Sequence, residues 1–176
     1  MIAALRQRKQ RREAVMAAYH RIVARARDPG LFAAWAVPDT LDGRFEMLAL
    51  HAFLVLNRLK REAANKEFAQ ILFDTMFADL DRGVREMGAT DIGVGRHVKA
   101  MARGFYGRIA AYEKGLGDEA ALHAALRRNL FGTVDPLPEQ VAGAARYLRD
   151  QAAALAAVPV ETLLAGEVPF APWQAS

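Results

Sequence analysis

The stretch Leu41–Ala64, LDGRFEMLALHAFLVLNRLKREAA, decides how the rest of the chain folds. At about 100° per residue it forms a helix with two apolar arcs. One arc holds Leu41, Phe45, Leu48, Ala52, Val55, Leu56 and Leu59. The other holds Met47, Leu50, Phe53 and Leu54. A helix apolar on two sides is expected to lie centrally, with several neighbours packed around it. A polar seam runs between the arcs: Arg44, His51, Arg58 and Glu62. Heptad spacing brings the first three within about 40° of one another. Charged groups among apolar arcs are costly to bury unless paired. The seam is therefore either an internal polar network or a recognition strip. As a network, Arg44 or Arg58 would bridge to a carboxylate on a neighbouring helix and His51 would be a satisfied core histidine.

Helical patterns continue on both sides, and no alternating apolar run reads as a strand. Before the central stretch, a helix is predicted over about Ala4–Arg27. Its apolar positions thicken towards Tyr19, Ile22 and Val23, so its first dozen residues are expected to extend from the body. Asp28-Pro29-Gly30 ends it. Leu31–Val37 is a short apolar piece, and Asp39 or Thr40 supplies a cap for the central helix. Further helices are predicted over about Lys66–Met87, Val94–Tyr112, Asp118–Leu130 and Glu139–Ala157. Gly104 and Gly107 inside the fourth each cost about 1 kcal/mol against alanine, which suggests close approach of another backbone or a partner. The apolar tail from Pro159 to Trp173 is expected to pack back on the bundle. The fold class is thus an all-α, single-domain bundle of about six helices, with a basic N-terminal helix over residues 1–30 and a helical body over 31–176.

Charge is unevenly placed. Residues 1–27 hold eight cations and only Glu13, a net of +7, whereas residues 28–134 sum to zero and 135–176 to −3. Arg6, Arg8, Lys9, Arg11 and Arg12 concentrate the excess. Such a segment suits a polyanion such as anionic lipid, RNA or a ribosome surface; the alternative is the solvated face of a basic helix. The longest apolar stretch, Phe45–Asn57, is interrupted by Glu46 and His51 and reads as a core helix, not a membrane span.

Chemistry-bearing motifs are sparse. The chain has no cysteine, which excludes disulfides, thiolate catalysis and cysteine-ligated metals. Ser176 is the sole serine. His20, His51, His97 and His123 lack metal-binding spacing, so no metal site is expected. Haem ligation by His51 or His97 stays open as an alternative. The glycines of Asp91-Ile-Gly93-Val-Gly95-Arg-His97 lack the preceding strand and the third glycine of a nucleotide-binding turn. Asp74, Asp79 and Asp81 read as the solvated side of the third helix. Together these features argue against an enzyme.

Five segments in order resemble the ubiquinol-cytochrome c chaperone family: PDTLDGRFEMLALHAFLVLNRLK (38–60), LFDTMFADLDRGVREMG (72–88), DIGVGRHVKAMARGFYGRIAAY (91–112), ALRRNLFG (125–132) and LLAGEVPFAPW (163–173). The likeness is to a bacterial member. It implies a non-catalytic chaperone for assembly of the cytochrome bc1 complex, with newly made cytochrome b as client and no cofactor. It places the protein in the cytoplasm at the inner face of the plasma membrane, or at the matrix side of the mitochondrial inner membrane if eukaryotic. A ribosome or a small protein partner are further candidates. Such a client needs an apolar groove of adaptable side chains. Met47, Met76, Phe77, Met101, Phe105 and Tyr106 are the candidates, bordered by Arg96, Lys99, Arg103 and Arg108. The chaperone reading expects an open groove lined by these residues; the alternative, commoner for such side chains, is that they simply fill the core. A nucleic-acid-binding role for the basic helix is the competing reading.

Overall fold

A computed structural model describes the backbone of residues 2–86 and 91–174, and their side chains except those of 2, 91–95 and 97. Among the described residues there are eight α-helices and no strand. They are α1 (Ile2–Ala26), α2 (Pro29–Trp35), α3 (Leu41–Leu59), α4 (Lys66–Glu86), α5 (Asp91–Leu116), α6 (Glu119–Arg128), α7 (Pro138–Ala157) and α8 (Val160–Leu164). The all-α expectation holds. The two helices beyond the expected six are short: α2, from the apolar piece after Pro29, and α8, within the tail. No helix among the described residues is long and apolar enough to cross a membrane.

Local chemistry sets the boundaries. Asp28 accepts from the Gly30 N–H at 2.9 Å, with Pro29 in the first turn of α2. Thr40 caps α3 by accepting from Gly43, and Asp118 caps α6 by accepting from Ala121. The central helix stops at Leu59, short of the expected Ala64. The buried Asn65 side chain donates to the Leu59 carbonyl at 3.2 Å and satisfies an acceptor that a further turn would have used.

The core forms around α3, thirteen of whose nineteen residues are buried. It packs against α1, α4, α5 and α7. Around it the sequence of contacts runs α1 to α4, α4 to α5, α5 to α6 and α6 to α7, and α2, α8 and the tail close the gap between α7 and α1. The two apolar arcs thus meet different walls of one ring. Residues 3–10 of α1 are exposed, as expected, whereas Val15, Ala18, Tyr19 and Ile22 enter the core.

The tail packs back, and polar groups hold it. Buried Gln151 donates to the Ala171 carbonyl at 3.1 Å and accepts from the Ala171 N–H at 2.9 Å. Arg25 donates to the same carbonyl, and Arg21 donates to Gly166 O and to Glu167. Trp173 meets Trp35 and Tyr147 edge-on, with 6.2 Å between ring centroids in both pairs. Gly166 makes the turn at φ +90°, where a Cβ would lie 2.6 Å from the Ala14 carbonyl of α1.

His51 links α3 to α7. Its Nδ1–H donates to the Met47 carbonyl at 2.7 Å, because a carbonyl can only accept. Nε2 then accepts from the Tyr147 hydroxyl at 2.8 Å. Burial, reinforced by nearby Arg25, outweighs the Met47 hydrogen bond and pushes the His51 pKa down to about 4.

Two predictions follow from this packing. Gly166→Ala should destabilise the protein by about 2 kcal/mol or more, through positive φ and the contact with α1, measured by urea denaturation. His51 stays neutral in the fold while the unfolded chain takes up a proton below its ordinary value of 6.5. Its contribution is therefore complete above pH 6.5 and is lost as pH falls towards 4, a change of about 3 kcal/mol. Unfolding free energies across that window should show this slope, and His51→Gln should flatten it.

Candidate functional site

The surface that combines exposed aromatic, small and basic side chains lies along α4 and α5. Phe105 of α5 is enclosed and meets Phe77 of α4 at 5.8 Å between centroids. Phe77 meets Phe73 at 4.6 Å, and half-buried Phe73 stacks on Tyr106 at 5.3 Å with 28° between the rings. Tyr106 is 59% exposed. Four rings thus run without interruption from core to solvent. Offset and edge-to-face geometries of this kind are favourable beyond the area they bury.

On α5, Arg96, Lys99, Arg103, Tyr106 and Ala110 are all exposed and fall three or four residues apart, so they share one face. No carboxylate pairs with Arg96, Lys99 or Arg103 among the described residues. Beside Tyr106, Gly107 is exposed, and nothing lies within 4 Å of where its Cβ would be. Gly107 therefore leaves the surface flat and admits close approach from outside, with no backbone of this chain against it. Gly104 has a different neighbour. A Cβ there would come 2.7 Å from the guanidinium of Arg108, so the glycine gives Arg108 room to fold inward. The close helix–helix approach occurs at Gly115, where a Cβ would lie 2.7 Å from the Leu122 Cα of α6.

Arg108 fixes α5 against the central helix. Its Nε donates to Glu46 Oε2 at 2.7 Å, its Nη2 donates to the second carboxylate oxygen, and its guanidinium lies 5.1 Å from the Phe45 ring centroid. Glu46 is buried. The two-point hydrogen bond holds the Arg108 pKa above its ordinary range. Lys60, which caps the C-terminal end of α3, pairs with Glu113 of α5. Sequence reading did not find the Glu46–Arg108 pair. The available signal was a lone glutamate inside an apolar helix, which requires a cation from a neighbour.

The expected open groove is corrected by the structure. Met47, Met76, Phe77, Met101 and Phe105 are all buried, because α5 packs against α3 and α4 and turns Met101 and Phe105 inward. Of the six candidates, Tyr106 alone is exposed. Phe73, which joins it, was missed because it lies off the apolar seam of α4; its i, i+4 spacing to Phe77 was the clue.

The polar seam does not form one site. Arg44 is exposed and grips Asp39 through two hydrogen bonds of 2.6 and 3.1 Å, which hold the Asp39 carboxyl below its usual range. His51 points inward to Tyr147. Arg58 donates to the Val158 carbonyl at 3.0 Å and pairs with Glu62. Helical drift and different neighbours send the three apart. Both nitrogens of His51 are engaged, which leaves none for iron; the side chain of His97, and those of 91–95 in the glycine-containing segment, lie outside the described residues. In the basic segment, Arg6, Arg8, Lys9 and Arg12 are exposed and Arg11 pairs with Glu67 of α4.

Residues 33–170 match the family model described as Ubiquinol-cytochrome C chaperone. The chain is similar to the ubiquinol-cytochrome-c reductase complex assembly factor 1 of Xenopus laevis, with 31% identity over 140 residues, covering 78% of this chain and 70% of the frog protein. It is 32% identical to the Mus musculus factor of that name, covering 77% of this chain but 47% of the mouse protein. The chain thus spans less than half of that mammalian relative. Its structure is similar to the crystal structure of the Cbp3 homolog from Brucella abortus, with a TM-score of 0.85 and 38% identity, covering 98% of this chain and 97% of that one. Fold, segment order and these matches agree: the chain belongs to the ubiquinol-cytochrome C chaperone family.

Proposed function

We propose that this protein is a non-catalytic assembly factor for the ubiquinol–cytochrome c reductase complex, and that it shelters an apolar helix of newly made cytochrome b on the α4–α5 face. The supporting observation is the aromatic ladder that emerges at Phe73 and Tyr106. A membrane helix that has not yet found its partners needs an apolar, adaptable contact. An exposed ring backed by three more, beside the flat patch at Gly107, offers one. Lys99 and Arg103 on the same face would meet acidic loops of the client or phosphate groups of the lipid beside it. In this reading the enclosed methionines and phenylalanines support the ladder from beneath. The protein works peripherally at the inner face of the membrane that receives cytochrome b, and it needs no bound cofactor.

A photo-crosslinking residue placed at position 106 should capture cytochrome b in cells. Tyr106→Glu should lower recovery of cytochrome b with an affinity-tagged chain roughly 30-fold, the size of an interface hot spot, and depress assembled reductase. The melting temperature should change little, because Tyr106 is largely outside the core. Undiminished recovery and a normal reductase level in the Tyr106→Glu strain would refute the assignment.

A further inference from the structure

The first two turns of α1 are puzzling for a helix that serves only to pack. Residues 3–10 are exposed, Leu5 to 62%, and Met16 farther along is 42% exposed. Short helices without tertiary support are marginal in water. Leu5, Lys9, Arg12 and Met16 are separated by four, three and four residues, so they form one stripe about 16 Å long. That stripe lies roughly a third of a turn around the helix from the face that carries Val15, Ala18 and Ile22 into the core, with buried Tyr19 between them. Arg6 and Arg8 lie to either side of it. Arg6, Arg8 and Arg12 have no carboxylate partner among the described residues, and Lys9 has only the exposed Glu13 at 3.8 Å. The Arg11–Glu67 pair ties this part of α1 to α4. Apolar side chains at both ends of a cationic stripe suit a bilayer interface, where cations meet headgroups and the apolar groups enter between them. A nucleic acid would use the charges and leave Leu5 and Met16 in water.

We propose that the exposed stripe Leu5–Lys9–Arg12–Met16 of α1 docks the protein on an anionic phospholipid surface. The stripe precedes the segment matched by the family, which begins at residue 33. The proposal rests on the functional reading for its setting beside a membrane, and on its own residues for its chemistry. Because α4 packs between α1 and α5, docking through α1 would hold the Tyr106 face close to the bilayer from which a client helix comes.

The test uses the full chain and vesicles, with no cytochrome b present, so its outcome does not depend on the Tyr106 assignment. In co-sedimentation at low salt, the protein should bind phosphatidylcholine vesicles containing a quarter phosphatidylglycerol and leave pure phosphatidylcholine vesicles in solution. The double substitution Lys9→Gln and Arg12→Gln should weaken the partition coefficient roughly 30-fold. Leu5→Asn with Met16→Gln, which leaves the charge unchanged, should weaken it roughly tenfold. Both variants should melt at the wild-type temperature, since all four side chains are exposed. Failure of the wild type to bind the anionic vesicles would overturn the proposal. So would full binding by the Leu5/Met16 variant, which would mean simple cationic adsorption. Tighter binding to a homopolymeric RNA than to the vesicles would overturn it as well, in favour of a nucleic-acid partner.

Discussion

A helix whose apolar arcs face several walls leaves the polar groups at its middle, Glu46 and His51, no route to water, so the surrounding walls must meet them. Enclosure of α3 is the constraint from which the other features follow. Glu46 draws in Arg108 from α5. His51 draws in Tyr147 from α7. Arg58 reaches the carbonyl that ends α7. Each contact fixes the register of a wall as well as satisfying a buried group, because a polar partner one turn away would leave both groups unpaired. The hydrophobic effect accounts for the clustering of the helices, and these directional contacts select one arrangement of them.

The same enclosure limits what the molecule can present outside. Most of its large apolar side chains fill the ring interior, including the methionines that seemed suited to a changing client. What remains exposed among the described residues is sparse: Tyr106 on its ladder of rings, Leu5 and Met16 on the basic helix, and Leu41 and Leu137 at the starts of α3 and α7. Tyr106 lies on α5 and Leu5 and Met16 on α1, and α4 packs between those two walls. The molecule thus presents surfaces of different chemistry, aromatic beside α4 and cationic with apolar ends on α1.

The tail shows how a segment with little regular structure becomes part of a core. Residues after α8 carry Val168, Phe170 and Trp173, yet apolar burial alone would leave their backbone groups unsatisfied. Gln151 supplies a donor and an acceptor to the single residue Ala171, Arg25 of α1 donates to the same Ala171 carbonyl, and Arg21 of α1 donates to the Gly166 carbonyl. The chain end thereby joins α1 to α7 and closes the ring.

Periodicity and punctuation determined the all-helical fold, the central place of α3, the breaks at Pro29 and Pro38, and the concentration of positive charge in α1. These depend on residues near one another in the chain, and a single sequence records them directly. The order of its segments also carried the family likeness. Tertiary structure decided which side chains are reachable. Whether a methionine lines a groove or fills a core depends on which helix lies across it, and that helix can be distant in sequence, as α5 is from Met47. The pairing of Glu46 with Arg108, the divergence of Arg44, His51 and Arg58, and the stacking of Tyr106 on Phe73 have the same origin. The Glu46–Arg108, His51–Tyr147 and Phe73–Tyr106 contacts join groups distant along the chain, and only the packing of walls around α3 brings them together.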